Sequence, residues 1–134
     1  MTAEAPYAIA RILPLSFGES DRLVRDALQA EGFGVLTEID VSATLKQKLD
    51  VDLPPYLILG ACSPALAHRA LEAEPDVGLL LPCNVVVRDM GDGQTLIEAM
   101  DPVKQLSFGE SRALKPLAVE ARERLIRAIG AVAS

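Results

Sequence analysis

Residues 54–88 read PPYLILGACSPALAHRALEAEPDVGLLLPCNVVVR and hold both cysteines and the only histidine of the chain. Tyr56 to Ala61, YLILGA, is a short apolar run between a Pro-Pro pair and a helix start, the pattern of a buried strand. In Cys62-Ser63-Pro64 the serine suits the N-cap and the proline suits the first helical position, where its missing N–H costs nothing. A helix is expected from there to about Glu74, with Pro75 ending it by pushing the preceding residue out of the α region. Leu66, Ala67, Ala70 and Leu71 form its apolar stripe, Arg69 and Glu72 face away, and His68 falls near the polar edge. Val77 to Leu81 and then Cys83 to Val87 have the density of a second strand, interrupted by Pro82. Alternation places Cys83 on one face with Val85 and Val87, and Asn84 on the other.

Upstream, Tyr7 to Leu13 reads as a first strand ending at Pro14. SFGESDRLVRDALQAEGFG comes next as a helix with clear punctuation. Ser16 and Glu19 have capping-box spacing, Leu23, Val24, Ala27 and Leu28 make the buried stripe, and Gly32 suits the left-handed position after the last turn. Gly34 to Asp40 alternates as a strand, with Val35, Thr37 and Ile39 on one side. A short helix from Ser42 to Leu49 is expected to pair Leu45 with Leu49.

Downstream, Met90-Gly91-Asp92-Gly93 lies between strand-like segments, so Asn84–Asp89 and Gln94–Met100 should form a hairpin. From about Ser107 to Val132 the chain has its strongest helical pattern. Leu114, Leu117, Ala118, Ala121, Leu125, Ala128 and Ile129 share one face, while Glu120 with Arg124 and Glu123 with Arg127 are i, i+4 pairs on the other. The hexapeptide LSFGES occurs twice, at Leu15–Ser20 and Leu106–Ser111. Two copies do not make a solenoid. The plain reading is one capping solution used twice; the sharper one is that Phe17 and Phe108 sit in related pockets.

With 134 residues the chain should be one domain with a core large enough to need no metal or disulfide. Half of it is apolar but only 4% is aromatic, so the core is aliphatic and stacking platforms for bases are not expected. The net charge of −6 and the absence of a basic run argue against nucleic acid as a partner. The N-terminus, with Glu4 and an Arg11 that interrupts its apolar segment, lacks signal-peptide anatomy, and no run approaches the ~20 apolar residues of a spanning helix. A cytoplasmic protein that does not engage membranes is therefore expected, with two cysteines remaining thiols.

The stretch Gly32 to Pro102 resembles the DUF302 family of uncharacterised bacterial and archaeal proteins. GFGVLTEID, the Gly-Ala-Cys helix start and LLLPCNVVV carry the resemblance, in the family's order and near its spacing. Ser63 stands where the family more often has Asn, which leaves a capping role intact. The resemblance implies a compact α+β domain with helices packed on a mixed sheet, and some members form dimers. It implies no established reaction. The expectation is a single two-layer α+β domain over residues 1–134, with a mixed, largely antiparallel sheet under packed helices. Its family core spans about 32–102 and its C-terminal amphipathic helix about 107–132.

Candidate chemistry centres on the thiols. Cys62, just before a helix start, would feel the positive end of the dipole, which favours a thiolate. The plainer reading makes Cys62 and Cys83 small buried hydrophobes. Cys62, His68 and Cys83 are the only soft metal ligands, and their spacing does not suit a metal, so no metal site is expected. Glu98, and Glu38 in a comparable strand position, become acid or base candidates if they point into a pocket. Asn84 could donate to an anion or cap a helix. No Walker loop, GxGxxG or GxSxG occurs, and no cofactor is indicated. The leading expectation is a non-catalytic small-ligand-binding or interaction module, acting as a homodimer, with Cys62, Ser63, Cys83, Asn84 and Glu98 at the ligand. The alternative is a thiol-based redox or metal-linked protein with Cys62 reactive and Cys83 resolving.

Overall fold

The computed structural model describes residues 5–132; Glu4, part of the argument against a leader, lies outside them. Five strands form one sheet: β1 (Ala8–Leu13), β2 (Gly34–Asp40), β3 (Tyr56–Cys62), β4 (Cys83–Gly91) and β5 (Gln94–Met100). Their order across the sheet is β1-β5-β4-β3-β2, and each pairing is antiparallel. Helices α1 (Phe17–Ala30) and α5 (Leu114–Ala131) pack on each other and on one face of this sheet. α2 (Val41–Leu49), α3 (Pro64–Ala73) and the short α4 (Pro102–Gln105) complete the two-layer α+β domain.

The core lies between the layers. Leu57, Leu59 and Ala61 of β3, Val85 and Val87 of β4, and Ile97 and Ala99 of β5 meet Val24 and Leu28 of α1 and Leu125, Ala128 and Ile129 of α5. Each fully buried aliphatic side chain contributes about 1.5–3 kcal/mol before conformational entropy is counted. A second cluster joins Leu66 and Ala70 of α3 to Val77, Leu114 and Leu117. Arg11, on the helix-facing side of β1, donates to the Ile129 and Gly130 carbonyls at 3.2 and 2.8 Å and so caps the end of α5.

Local signals set many boundaries. The Ser16 hydroxyl accepts the Glu19 N–H at 3.2 Å at the start of α1. At its end Gly32 has φ +86°, its N–H donates to the Gln29 carbonyl, and the Phe33 N–H donates to that of Leu28, a Schellman closure. The β4–β5 hairpin turns at Asp92-Gly93 with φ +55° and +74°, as a two-residue primed turn requires.

Several expectations are corrected. β2 carries a bulge between Val35 and Thr37, so Val35 pairs with Ala61 on the helix side while Thr37 and Ile39 pair with Gly60 and Ile58 on the opposite side. One extra residue reverses the alternation, so the three do not share a face. The bulge brings the Thr37 hydroxyl over Gly60, where a Cβ would lie 2.1 Å from it. α2 starts one residue early because Asp40 caps it, accepting the Ala43 N–H at 2.9 Å. Leu49 is exposed, so it forms no buried pair with Leu45, and Leu71 likewise leaves the α3 stripe.

Pro75–Leu80 is a 3₁₀ helix rather than strand, with Val77 buried and Leu79 turned to solvent, and the Leu81–Pro82 peptide after it is cis. α5 begins at Leu114 rather than Ser107, which places Pro116 in its first turn, where its missing N–H would be unpaired in any case. Phe108 therefore has no pocket like that of Phe17: it is 80% exposed. Arg127 pairs at 3.0 Å with Glu31, the residue that follows α1, instead of making the expected contact along α5, whereas Arg124 does meet Glu120 at 2.6 Å.

Candidate functional site

Where β3 passes into α3, Ser63 breaks the strand and starts the helix: its hydroxyl accepts the Leu66 N–H at 3.5 Å, and Pro64 occupies the first helical position. Beside this junction lies a cavity of about 60 Å³. The strand ends supply one wall, with Cys62, Ser63 and Cys83; Leu66, Ala67 and Ala70 of α3 supply a second. Leu117 and Ala121 of α5 and the segment Pro102–Leu106 close the remainder. The register sets Cys83, opposite Ala61, on the helix-facing side, and Cys62 reaches the cavity because β3 ends there and turns into α3.

The thiols are held as neutral groups. Burial pushes the Cys62 pKa up, against the expected pull of the helix dipole. Cys83 is 8% exposed, and its thiol donates to the Met100 carbonyl at 3.3 Å. Burial raises its pKa from 9.0 to about 12, with the charges of Asp101 and Cys62 adding to the rise. The folded chain thus holds the Cys83 proton more tightly than the unfolded chain. That stability is fully present below pH 9.0 and falls as pH rises toward about 12. Urea titrations at pH 7.5 and pH 10 should show the loss, and a Cys83→Ala variant should lack that part of it.

Asn84 and Glu98 are not at the cavity. Strand alternation puts them on the opposite face of the sheet, where Asn84 is exposed and Glu98 meets Arg88 at 3.8 Å. Glu38 is on the helix side but is tied to Arg25 of α1. His68 is 74% exposed at its side chain, beside Glu72. Among the described residues no group of His, Cys, Asp and Glu is placed to hold a metal ion. No helix among them is long and apolar enough to cross a membrane.

Sequence reasoning missed Gln105. Its side-chain amide donates to the Leu80 carbonyl and, at 3.0 Å, to that of Pro82, fastening the segment before β4 across the cavity. Nothing local in DPVKQL signals this, because the partners are 25 and 23 residues away. A wider groove of about 480 Å³ runs along α2 and the start of β3. Its charges satisfy one another, with Lys46 held by Asp50 and Asp52 at 2.9 and 3.0 Å, so it offers no free polar group of that set to a ligand.

A two-layer sheet with its helix-start cavity defines a class of small α+β domains, and comparison with known proteins fixes the family. The family model described as "Domain of unknown function DUF302" matches residues 9–132, well beyond the 32–102 core that carried the resemblance. The chain belongs to the DUF302 family. It is similar, at 30% identity, to the uncharacterized conserved protein DUF302 of Bacillus stearothermophilus, whose crystal structure superposes with a TM-score of 0.84. That match covers 94% of this chain and 98% of the other. No curated protein matches the chain.

Proposed function

We propose that this domain is a non-catalytic binding module, working as a homodimer, whose ligand presents an apolar group of a few heavy atoms to the cavity beside Cys62 and Cys83. The observation that supports this reading is the cavity itself: aliphatic side chains from three helices and two strand ends leave about 60 Å³ open next to two neutral thiols. A water molecule takes up about 30 Å³ of liquid, and an apolar cavity of about 150 Å³ accepts benzene or xenon. The preformed space therefore suits a small apolar group, well short of the ~300 Å³ of typical ligand pockets. Ser63 is committed to capping and the thiols are weak partners, so recognition rests on shape and dispersion rather than charge. The thiol-redox reading would call for a stabilised thiolate, and burial moves both cysteines the other way.

Xenon is a direct probe. Titration followed by ¹H–¹⁵N correlation spectra should shift the amides of Cys62, Ser63, Leu66 and Cys83, and Ala67→Leu, which fills the cavity, should abolish those shifts. Native mass spectrometry of freshly purified protein, without added metal or reductant, should show a retained mass that denaturation releases. Absence of both the shifts and the retained mass would sink the ligand reading.

A further inference from the structure

The helices α1 and α5 cover one face of the sheet, and the other face is left open. Along it Ile58 and Val86 are half-buried at the centre, and Ile12 and Ile39 near the edges are 37% and 52% exposed. Its charged pair is Arg88 with Glu98, 3.8 Å apart on neighbouring strands. The geometry points to this open face as the surface on which a second copy of the chain docks, the two sheets stacking across a two-fold axis. The inference rests on the homodimer reading above and assigns its interface.

Three features favour this occupant. The first is charge. The chain carries −6, yet the open face bears one Arg and one Glu that balance, so two copies meet there without like-charge repulsion. A two-fold interface must be self-complementary, and a patch with one cation and one anion side by side satisfies that when the axis passes between them, setting each Arg88 over the other copy's Glu98.

The second is area. Five strands about 4.8 Å apart, with about six residues rising 3.3 Å each, give a footprint of about 24 by 20 Å. That is about 480 Å² per copy before side-chain relief, so the pair reaches the ~1,000 Å² at which specific interfaces begin. Stacked sheets pack about 10 Å apart, a spacing that aliphatic side chains of this size fill.

The third is the state of the two sheet edges, which are the competing route to a dimer. The β2 edge is broken by the bulge at Leu36, its Glu38 is tied to Arg25, and its Asp40 caps α2. The β1 edge is short, commits Arg11 to the α5 carbonyls, and ends at Pro14. Bulges, charges and proline are the devices that blunt an edge against strand addition. The face, by contrast, carries only the charges of Arg88 and Glu98, which pair with each other.

The test is light scattering behind size exclusion on the full chain, with Ile39→Asp and Val86→Asp compared with Leu79→Asp. Leu79 is 89% exposed in the 3₁₀ turn, away from the sheet. The wild type and Leu79→Asp should run as dimers. Ile39→Asp and Val86→Asp should run as monomers, with dimerisation weakened about a hundredfold or more because a two-fold axis places each new charge in the interface twice. Ile39 is half exposed in the monomer, so its variant should keep the wild-type circular dichroism, which separates lost pairing from lost folding. A monomeric wild type would overturn the homodimer reading and this interface together. Folded variants that remain dimers, or loss of the dimer in Leu79→Asp alone, would overturn the interface and leave the homodimer reading standing.

Discussion

The two copies of LSFGES, identical over six residues, fold differently. In the first, Ser16 caps α1, Phe17 packs against the main core and Ser20 is fully buried. In the second, Leu106–Phe108 is a 3₁₀ turn, Ser107 donates to the Lys104 carbonyl at 2.6 Å, and Phe108 stands in solvent. The Glu110 and Ser111 N–H groups, which in the first copy's conformation would enter a helix, are taken instead by the Glu74 carboxylate, both at 2.8 Å. The difference comes from the residues next in the chain: the first copy continues into DRLVRDAL, the second into RALKP. Proline fits a first helical turn and not the interior, so Pro116 excludes a helix running on from Ser107. A hexapeptide offers a helix start; its neighbours decide whether the offer is taken.

The largest expected contrast lies at the aromatic position. Phe17→Ala should cost about 2–3 kcal/mol of unfolding free energy, below the full core value because Phe17 is half-buried, whereas Phe108→Ala should cost under about 0.5. Equal losses in urea titrations would show that both rings are packed after all. The glycines should differ in sign. Gly18 lies in a helix with nothing within 4 Å of an added Cβ, so Gly18→Ala should stabilise by up to about 1 kcal/mol. At Gly109 the Cβ would meet Leu114 Cδ1 at 2.2 Å and the Leu106 carbonyl at 3.3 Å, so Gly109→Ala should destabilise by about 1–2 kcal/mol.

Glu74→Ala should then cost about 1–2 kcal/mol by leaving two N–H groups without their acceptor. Hydrogen exchange should report the loss at Glu110 and Ser111 and leave Glu19 and Ser20 unchanged. The smallest contrast is at the caps. Ser16→Ala should lower stability by about 1 kcal/mol and Ser107→Ala by about half that, since only the first serine caps a long helix.

The same division between local and distant causes sets how much could be read in advance. The start and end of α1, the Ser63-Pro64 helix start, the Asp92-Gly93 turn and the buried stripe of α5 each arise from residues within one turn of where they act. The bulge at Leu36 does not, because it is fixed by Gly60 on the neighbouring strand, which leaves room for Thr37. Pro116 was available as a signal for the start of α5, but a capping serine upstream outweighed it. At the site, Cys62, Ser63 and Cys83 were legible because strand alternation and one helix start place them. The same alternation turns Asn84 and Glu98 to the far face, away from the cavity. Gln105 and Leu117 reach the cavity only through the packing of α4 and α5, and no local pattern encodes that.

The strand order β1-β5-β4-β3-β2 has a consequence for assembly in time. The strands β2 to β5 pair as successive neighbours, but β1 pairs with β5 alone, matching Ala8 with Met100 and Leu13 with Thr95. During synthesis β1 emerges before the other strands of this sheet and must wait for β5, and Arg11 waits longer still for the carbonyls at the end of α5. Closing such a long loop is slow compared with forming hairpins. The β2–β5 meander is thus expected to form first, with its β5 edge unpaired until β1 returns to cover it.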